Sequence, residues 1–284
     1  MRISRAKGST SLVAMAAAVL GAALLAPHAF AAETAPAPAA KAAAPAPKLA
    51  NRFHRTKDGK PDFNGFWNLA RTTPTPDPQL MAKIAPNTVV LNDVGAPELP
   101  QGNYGGLILT PAAQAVAKTW KQEDDMVISK ACSSPSIIYS MQGPFPIEIA
   151  QYPDVIIIKL EFFDMVRIVR MNAQHRPANG PHTKAGDSIG HWEGDVLVVD
   201  TDHFEPATIT NNGLYHGEKA HVIERFKLSP DGQHIISSQE FEDPENITNR
   251  GARFINWDYK AGDYVFPYDC DPTFGLNYGN PEKK

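Results

Sequence analysis

Seven segments in the second half of the chain alternate apolar and polar residues in the manner of β-strands. They are residues 147–150, 155–163, 165–171, 196–202, 221–228, 234–241 and 253–259. Short turns such as Tyr152-Pro153-Asp154 separate several of them, so we expect consecutive strands to pair antiparallel. Because a meander of this size must hide its edges, we predict a mainly β fold that closes into a lipocalin-like barrel, with a β-sandwich as the alternative.

Residues 187–204 predict a β-hairpin at the centre of this region. A short strand from Ser188 to Trp192 precedes the turn Glu193-Gly194-Asp195, and a strong β run follows it. Gly194 supplies the positive φ that tight hairpin turns require. The turn is rich in reactive side chains, since an imidazole, an indole and several carboxylates surround it.

The first fifty residues are not expected to belong to the folded domain. Residues 1–31 combine a basic start, a short apolar run and the small-residue site Ala29-Phe30-Ala31, which together predict a secretory signal peptide. A retained membrane anchor is the alternative. Residues 32–50 are rich in Ala and Pro and predict an extended linker. Residues 51–284 are then expected to form a single β-rich domain, periplasmic or secreted.

Charge and cysteine content limit the partners. The net charge is −4 and the basic residues are scattered, which argues against a nucleic-acid partner. No second long apolar run follows the signal, so we expect no membrane contact after its cleavage. Cys132 and Cys270 are the two cysteines, and in an exported protein such a pair favours a disulfide over two buried thiols. The oligomeric state is not specified by the sequence.

The segment before the strands predicts one helix and an irregular wrapping region. Phe63, Phe66 and Trp67 follow a turn and are expected to plug one end of the core, whereas residues 73–99 predict a wrapping loop. Thr110-Pro111 is a typical helix start, with the helix expected over Ala112 to Glu123. Its predicted core face consists of Ala113, Val116, Ala117 and Trp120.

Several motifs together resemble a family of exported bacterial proteins that is found in soil and aromatic-degrading bacteria. They are residues 61–67 (PDFNGFW), Cys132, Gly143-Pro144, residues 188–201 (SIGHWEGDVLVVDT), His216, Glu224-Arg225 and Asp243-Pro244. The core W-E-G-D-x-L-V-V-D-T is the most specific of these. The resemblance implies export but no particular reaction. Its bacteria include degraders of lignin-derived aromatic dimers, so a formaldehyde-releasing side-chain lyase is an alternative function.

The chain departs from the family pattern at one place. Family members carry Asp-Gly-Arg after the strand that holds Arg167, whereas Asn172-Ala173-Gln174 stands here. A role that rests on the family's arginine could have passed to Arg170 or Arg176, or been lost.

Six histidines between residues 175 and 221 suggest acid–base chemistry. They flank two long loops, residues 172–187 and 202–220, and a rigid barrel could bring both loops to one mouth. His191 and His216 are the best candidates for a general base. The remaining predicted catalytic residues are Asp200 and Glu224 as orienting acids, Arg167 as the partner of an anion, and Tyr215 as a donor to an oxyanion. Ordinary packed histidines, turn carboxylates and cross-strand ion pairs are the structural alternatives for the same residues.

Known motifs exclude several other chemistries. The chain has no G-x-G-x-x-G or P-loop sequence, Ser188 is expected on a strand without a nucleophile elbow, and no H-x-H or H-E-x-x-H spacing favours a metal. We therefore expect no cofactor. The leading hypothesis is an exported pocket protein, a lyase or isomerase in type, that acts on a small hydrophobic, aromatic molecule by acid–base chemistry. A binding protein without turnover and an envelope interaction protein are the alternatives.

Overall fold

The computed structural model describes residues 55–70, 75–95 and 99–277. The predicted signal peptide and linker lie outside these residues. The strands are β1 (Gly65–Leu69), β2 (Thr88–Val90), β3 (Ile147–Gln151), β4 (Val155–Leu160), β5 (Val166–Met171), β6 (Asp187–Glu193), β7 (Val196–Asp202), β8 (Ala207–Thr210), β9 (Leu214–His216), β10 (His221–Leu228), β11 (His234–Glu242) and β12 (Arg250–Lys260). The helices are α1 (Pro78–Met81), α2 (Pro111–Thr119), α3 (Gln122–Asp125), α4 (Ile137–Ser140) and α5 (Phe274–Asn277), and a 3-10 turn spans Phe162–Asp164.

Nine strands form a closed barrel in the order β1-β3-β4-β5-β6-β7-β10-β11-β12. The last strand pairs with the first, with Trp67 opposite Tyr259, and this contact closes the wall. The predicted barrel is thereby confirmed, and so is the strand pattern on which it rested. The predicted strand over 155–163 is shorter, because Phe163 adopts a φ of 58° in the 3-10 turn and ends the extended run.

One neighbouring pair of the barrel runs parallel, which corrects the expectation of antiparallel pairing throughout. Strands β5 and β6 pair with Val169 opposite Ser188 and Met171 opposite Gly190. Parallel neighbours require the chain to return to the end from which it came. Residues 172–186 therefore run back along the outside of the barrel wall. We call this segment the crossover.

Inward and outward residues alternate along each strand and give the barrel two apolar regions. A large buried cluster fills the interior and includes Trp67, Val169 and Trp257. A smaller cluster on the outer wall joins Val196 and Val198 to Leu80 of α1. Phe63 and Trp67, two residues of the predicted plug, are buried in this interior cluster, and the Phe63 ring lies 6.0 Å from that of Trp192. Phe66 is buried as well, but it does not belong to the cluster.

The predicted helix exists but is shorter than expected. It begins after Thr110, whose hydroxyl accepts a hydrogen bond from the Ala113 N–H at 3.2 Å, and it ends at Thr119. Ala113 and Ala117 are buried as predicted, whereas the prediction was wrong for Val116, which is 54% exposed. The helix α2 packs on β9, and Gly213, just before this strand, lies in close contact with Ala117 and Trp120 at the end of the helix. The buried face of the helix is therefore narrower than predicted.

Two regions predicted as loops contain regular structure. Within 73–99, the short helix α1 covers the outer wall and β2 pairs in parallel with β12. Within 202–220, β8 and β9 form a two-stranded hairpin. These four elements are each too short to produce a recognisable period in the sequence.

Cys132 and Cys270 form the predicted disulfide, with their Cα atoms 5.8 Å apart. The bond ties the segment after α3 to the C-terminal tail. Disulfides of this kind are typical of proteins that reach an oxidising compartment. None of the helices among the described residues is both long and apolar enough to cross a membrane.

Candidate functional site

Arg167 and Glu224 meet inside the barrel as a buried ion pair. The guanidinium Nη2 lies 2.5 Å from Glu224 Oε2, and both side chains are almost fully buried. Arg167 also donates to Ser188 Oγ at 3.0 Å and to Thr201 Oγ1 at 2.9 Å, because these inward residues lie on neighbouring strands. The structure therefore brings two predicted site residues together, but the charge of Arg167 is balanced by Glu224 and not by an anionic ligand.

A second buried ion pair lies in the same interior and was not predicted from the sequence. Arg253 on β12 donates to both carboxylate oxygens of Asp93, at 2.8 and 2.7 Å. The same guanidinium donates to the carbonyls of Ile138 and Ile209, which anchors α4 and β8 over the end of the barrel. No sequence signal marked the pair, because Asp93 belongs to the irregular wrapping region.

His216 is buried against Ser136 beneath this end of the barrel. Its Nδ1 lies 3.0 Å from the Gly217 carbonyl, which can only accept, so Nδ1 carries the proton and Nε2 accepts from the Ser136 hydroxyl at 2.7 Å. Burial lowers the pKa of His216 to about 4. The imidazole is therefore neutral at physiological pH.

His191 lies on the outer face of β6, away from the other predicted catalytic residues. Its side chain is 52% exposed, and its Nε2 is 3.6 Å from Glu193 Oε1. Ser188, Gly190 and Trp192 occupy the inward positions of this strand, so strand alternation turns His191 towards solvent. The two candidate general bases therefore do not meet at one mouth, since His191 is exposed on the outer wall and His216 is buried.

Asp200 belongs to a separate cluster of imidazoles and carboxylates on the outer wall. Its Oδ1 is 2.7 Å from His221 Nε2 and 3.2 Å from His175 Nε2. Burial alone would raise the pKa of Asp200, but the hydrogen bond from His221 and the charges of both histidines lower it. The hydrogen bond with Asp200 in turn raises the pKa of His221. Asp200 therefore partners His175 and His221, not His191 or His216 as expected.

The arginines that were considered as substitutes for the family's arginine both reach Asp187. Arg170 Nη2 lies 2.9 Å from each oxygen of this carboxylate, and the Arg176 N–H donates to it at 2.9 Å. Burial would raise the pKa of Asp187, yet these hydrogen bonds outweigh it and lower the pKa. Together with His175 they hold the crossover against the barrel wall.

Tyr215 lines a groove at the end of the barrel where α4 lies. We define the end groove by its walls, which come from residues 122–139, 162–163, 206–215 and 268–271 together with Lys184, and its volume is about 940 Å³. The disulfide forms part of the rim, because Cys270 lines the groove and Cys132 lies between two lining residues. Pro135 and Tyr215 line it directly above the Ser136–His216 pair.

Aromatic rings form one wall of the end groove. Tyr139, Phe162, Phe163 and Tyr268 line it. The ring of Tyr268 stacks on Phe163 at 4.7 Å and meets Phe162 edge-on at 5.5 Å, while Phe145 stacks behind Phe162 at 4.6 Å. A wall of fixed rings suits a flat apolar ligand.

A hydrogen-bonded tyrosine and carboxylate lie at the polar side of the end groove. The Tyr215 hydroxyl donates to Asp125 Oδ2 at 2.6 Å, and the Trp120 indole N–H donates to the same oxygen at 2.7 Å. Burial, and next the hydrogen bond to Asp125, raise the pKa of Tyr215 well above its usual range. Tyr215 therefore remains a proton donor, and Lys130 Nζ lies 3.4 Å from the other oxygen of Asp125.

The predicted site residues thus fall into four places: the barrel interior, the buried Ser136–His216 pair, the outer wall and the end groove. Asp125 was not predicted as a site residue, because its place in a short acidic segment is typical of an ordinary solvated turn. It also missed the aromatic wall, because its rings come from three distant segments. No protein-family model matches the chain, and a search of curated proteins finds no relative.

Proposed function

We propose that this chain is an exported protein that binds a small aromatic molecule in the end groove. The observation that carries the proposal is the wall formed by Tyr139, Phe162, Phe163 and Tyr268 in a groove of about 940 Å³. Ligand pockets are commonly clefts of about 300–1,000 Å³ with apolar walls and a few fixed polar groups. Tyr215 and Lys130 provide such polar groups.

Two features support a groove that is kept ready for its ligand. The disulfide fixes Tyr268 in the wall by holding the C-terminal tail against residues 131–133. The arginine–aspartate pair inside the barrel fixes the other side, since Arg253 binds the carbonyls of α4 and β8. Preorganised walls lower the entropic cost of binding. The groove favours a small-molecule ligand over the hypothesis of an envelope interaction protein.

Acid–base turnover in the same groove is a second candidate, favoured by the Tyr215–Asp125 pair. In this step the Tyr215 O–H turns from Asp125 to an oxyanion that develops on the ligand, and the carboxylate that it releases accepts a proton from the ligand. An elimination or a side-chain cleavage that releases formaldehyde would use both roles. This candidate takes Tyr215 from the predicted site and replaces His191 with Asp125.

Binding is tested by isothermal titration calorimetry with benzoate, 4-hydroxybenzoate and cinnamate as probes. Tyr268→Ala should weaken binding of the best probe at least about tenfold, because it removes a ring from the wall. Tyr264→Ala is the matched control, since this tyrosine of the same tail is 57% exposed and lies outside the groove. Equal affinity in wild type and Tyr268→Ala would contradict the proposal, as would the failure of every probe to bind.

Turnover is tested separately by chromatography of each bound probe after incubation with the protein. If the second candidate is right, Tyr215→Phe lowers kcat at least about a hundredfold and leaves the probe's Kd within about twofold. Recovery of every bound probe unchanged from the wild type would leave binding as the function.

A further inference from the structure

We propose that a divalent transition-metal ion of the zinc kind binds on the outer wall between His175, Asp187 and Asp202. His175 belongs to the crossover, Asp187 begins β6 and Asp202 ends β7. The β6–β7 ladder places the two aspartates opposite each other, and the parallel return of the crossover brings the imidazole over them. Motif spacing does not reveal this cluster, because the strand topology creates it.

The distances from His175 to the two carboxylates match those between ligands of one metal ion. His175 Nδ1 lies 2.9 Å from Asp202 Oδ1 and 3.4 Å from Asp187 Oδ2, and all three ligand atoms lie within 4.8 Å of one another. Ligands bound at about 2.1 Å are about 3.0 Å apart at right angles and about 3.4 Å apart at the tetrahedral angle. Imidazole and carboxylate together suit zinc and its neighbours.

The imidazole of His175 is oriented as in known metal sites. Both of its ring nitrogens face carboxylates, because Nε2 lies 3.2 Å from Asp200 Oδ1 while Nδ1 faces the other two. A metal on Nδ1 would leave the Nε2 proton for Asp200, the arrangement that orients metal-ligating histidines.

The surrounding side chains already contact two of these carboxylates. Asp187 accepts from Arg170 and Arg176, and Asp202 Oδ1 lies 2.6 Å from His203 Nδ1. A metal ion would therefore share Asp187 with the two arginines and take the place of His203 on Asp202. The Asp202 side chain is about one-third exposed, which gives an ion access from solvent. A bound ion would fasten the crossover to the barrel wall, and the site is independent of the end groove.

The test is zinc binding by the full chain, measured by calorimetry with zinc chloride and by the visible absorption of a cobalt(II) complex. The variants are His175→Ala and Asp202→Asn. His191→Ala is the matched control, because its exposed imidazole lies on the same outer wall beside Glu193 and outside the site. Circular dichroism establishes that each variant is folded, and Asp202→Asn serves if His175→Ala is not.

Wild type and His191→Ala should bind one zinc ion with equal affinity, and both should melt at a higher temperature in its presence. His175→Ala and Asp202→Asn should bind zinc at least about tenfold more weakly, as expected for loss of one ligand, and lose the thermal shift. The proposal is overturned if the wild type gives neither heat nor a cobalt band. It is also overturned if the folded site variants bind zinc as the wild type does.

Discussion

Acid should destabilise this protein in part through His216. The imidazole is buried, donates to the Gly217 carbonyl and accepts from Ser136, and both partners suit the neutral ring. Burial lowers its pKa from 6.5 to about 4 in the folded state. The unfolded chain therefore takes up this proton first as the pH falls.

The sign and size of the effect follow from this difference. A base whose pKa is lower in the folded state favours unfolding when the pH drops, so its full contribution to stability is present above about pH 6.5 and is lost as the pH falls towards 4. Each tenfold change in proton affinity corresponds to about 1.4 kcal/mol, so the difference amounts to about 3 kcal/mol.

The measurement compares the wild type with His216→Gln by urea unfolding at about pH 7.5 and about pH 4.5. Glutamine does not titrate and can still accept a hydrogen bond from Ser136. Carboxylates elsewhere contribute equally to both proteins, so the difference between them isolates His216. The wild type should lose about 2.5 kcal/mol more stability than the variant over this range, because a pH of about 4.5 still lies above the folded pKa and the loss is not complete there. Equal losses would refute the buried, neutral histidine.

Three further predictions concern the framework around the groove. Glu224→Gln leaves the Arg167 charge buried without a counter-charge, so the free energy of unfolding, measured in urea, should fall by about 3–5 kcal/mol. The Arg167→Met, Glu224→Leu double variant removes both charges and should lose less, and a larger loss in the double variant than in Glu224→Gln would contradict this. Cys132→Ser should lower the same quantity by about 2–5 kcal/mol, and a loss below about 1 kcal/mol would show that the tail is held without the bond. Gly213→Ala should destabilise by about 1–3 kcal/mol, because φ is 93° and the new Cβ would lie 2.6 Å from the Cβ of Trp120; an unchanged melting temperature would exclude that clash.

The barrel could be predicted because its signals are local. Alternation along each strand and turn residues between strands survive in the sequence whatever the tertiary contacts are. The disulfide could be predicted because the chain has two cysteines and a predicted signal peptide. The sense of the β5–β6 pair could not be predicted in the same way, although a connection as long as the crossover is one sign of a parallel return.

The candidate site was predicted only in part, for reasons of geometry. His191 was predicted as a general base, but it faces solvent. Successive residues of a strand face opposite sides, and its neighbours Gly190 and Trp192 face inward. Asp200 was found, but its partners come from the crossover and from β10, a meeting that depends on the parallel pair. The end groove combines four distant segments, and only Tyr215 and the disulfide pointed to it.

A crystal structure of the protein soaked with its best-binding aromatic probe would test the central proposal most directly. The account predicts the aromatic ring of the probe against Phe162 and Tyr268, with its polar group within hydrogen-bond distance of Tyr215 or Lys130. A probe bound at another place, with the end groove filled only by water, would contradict it.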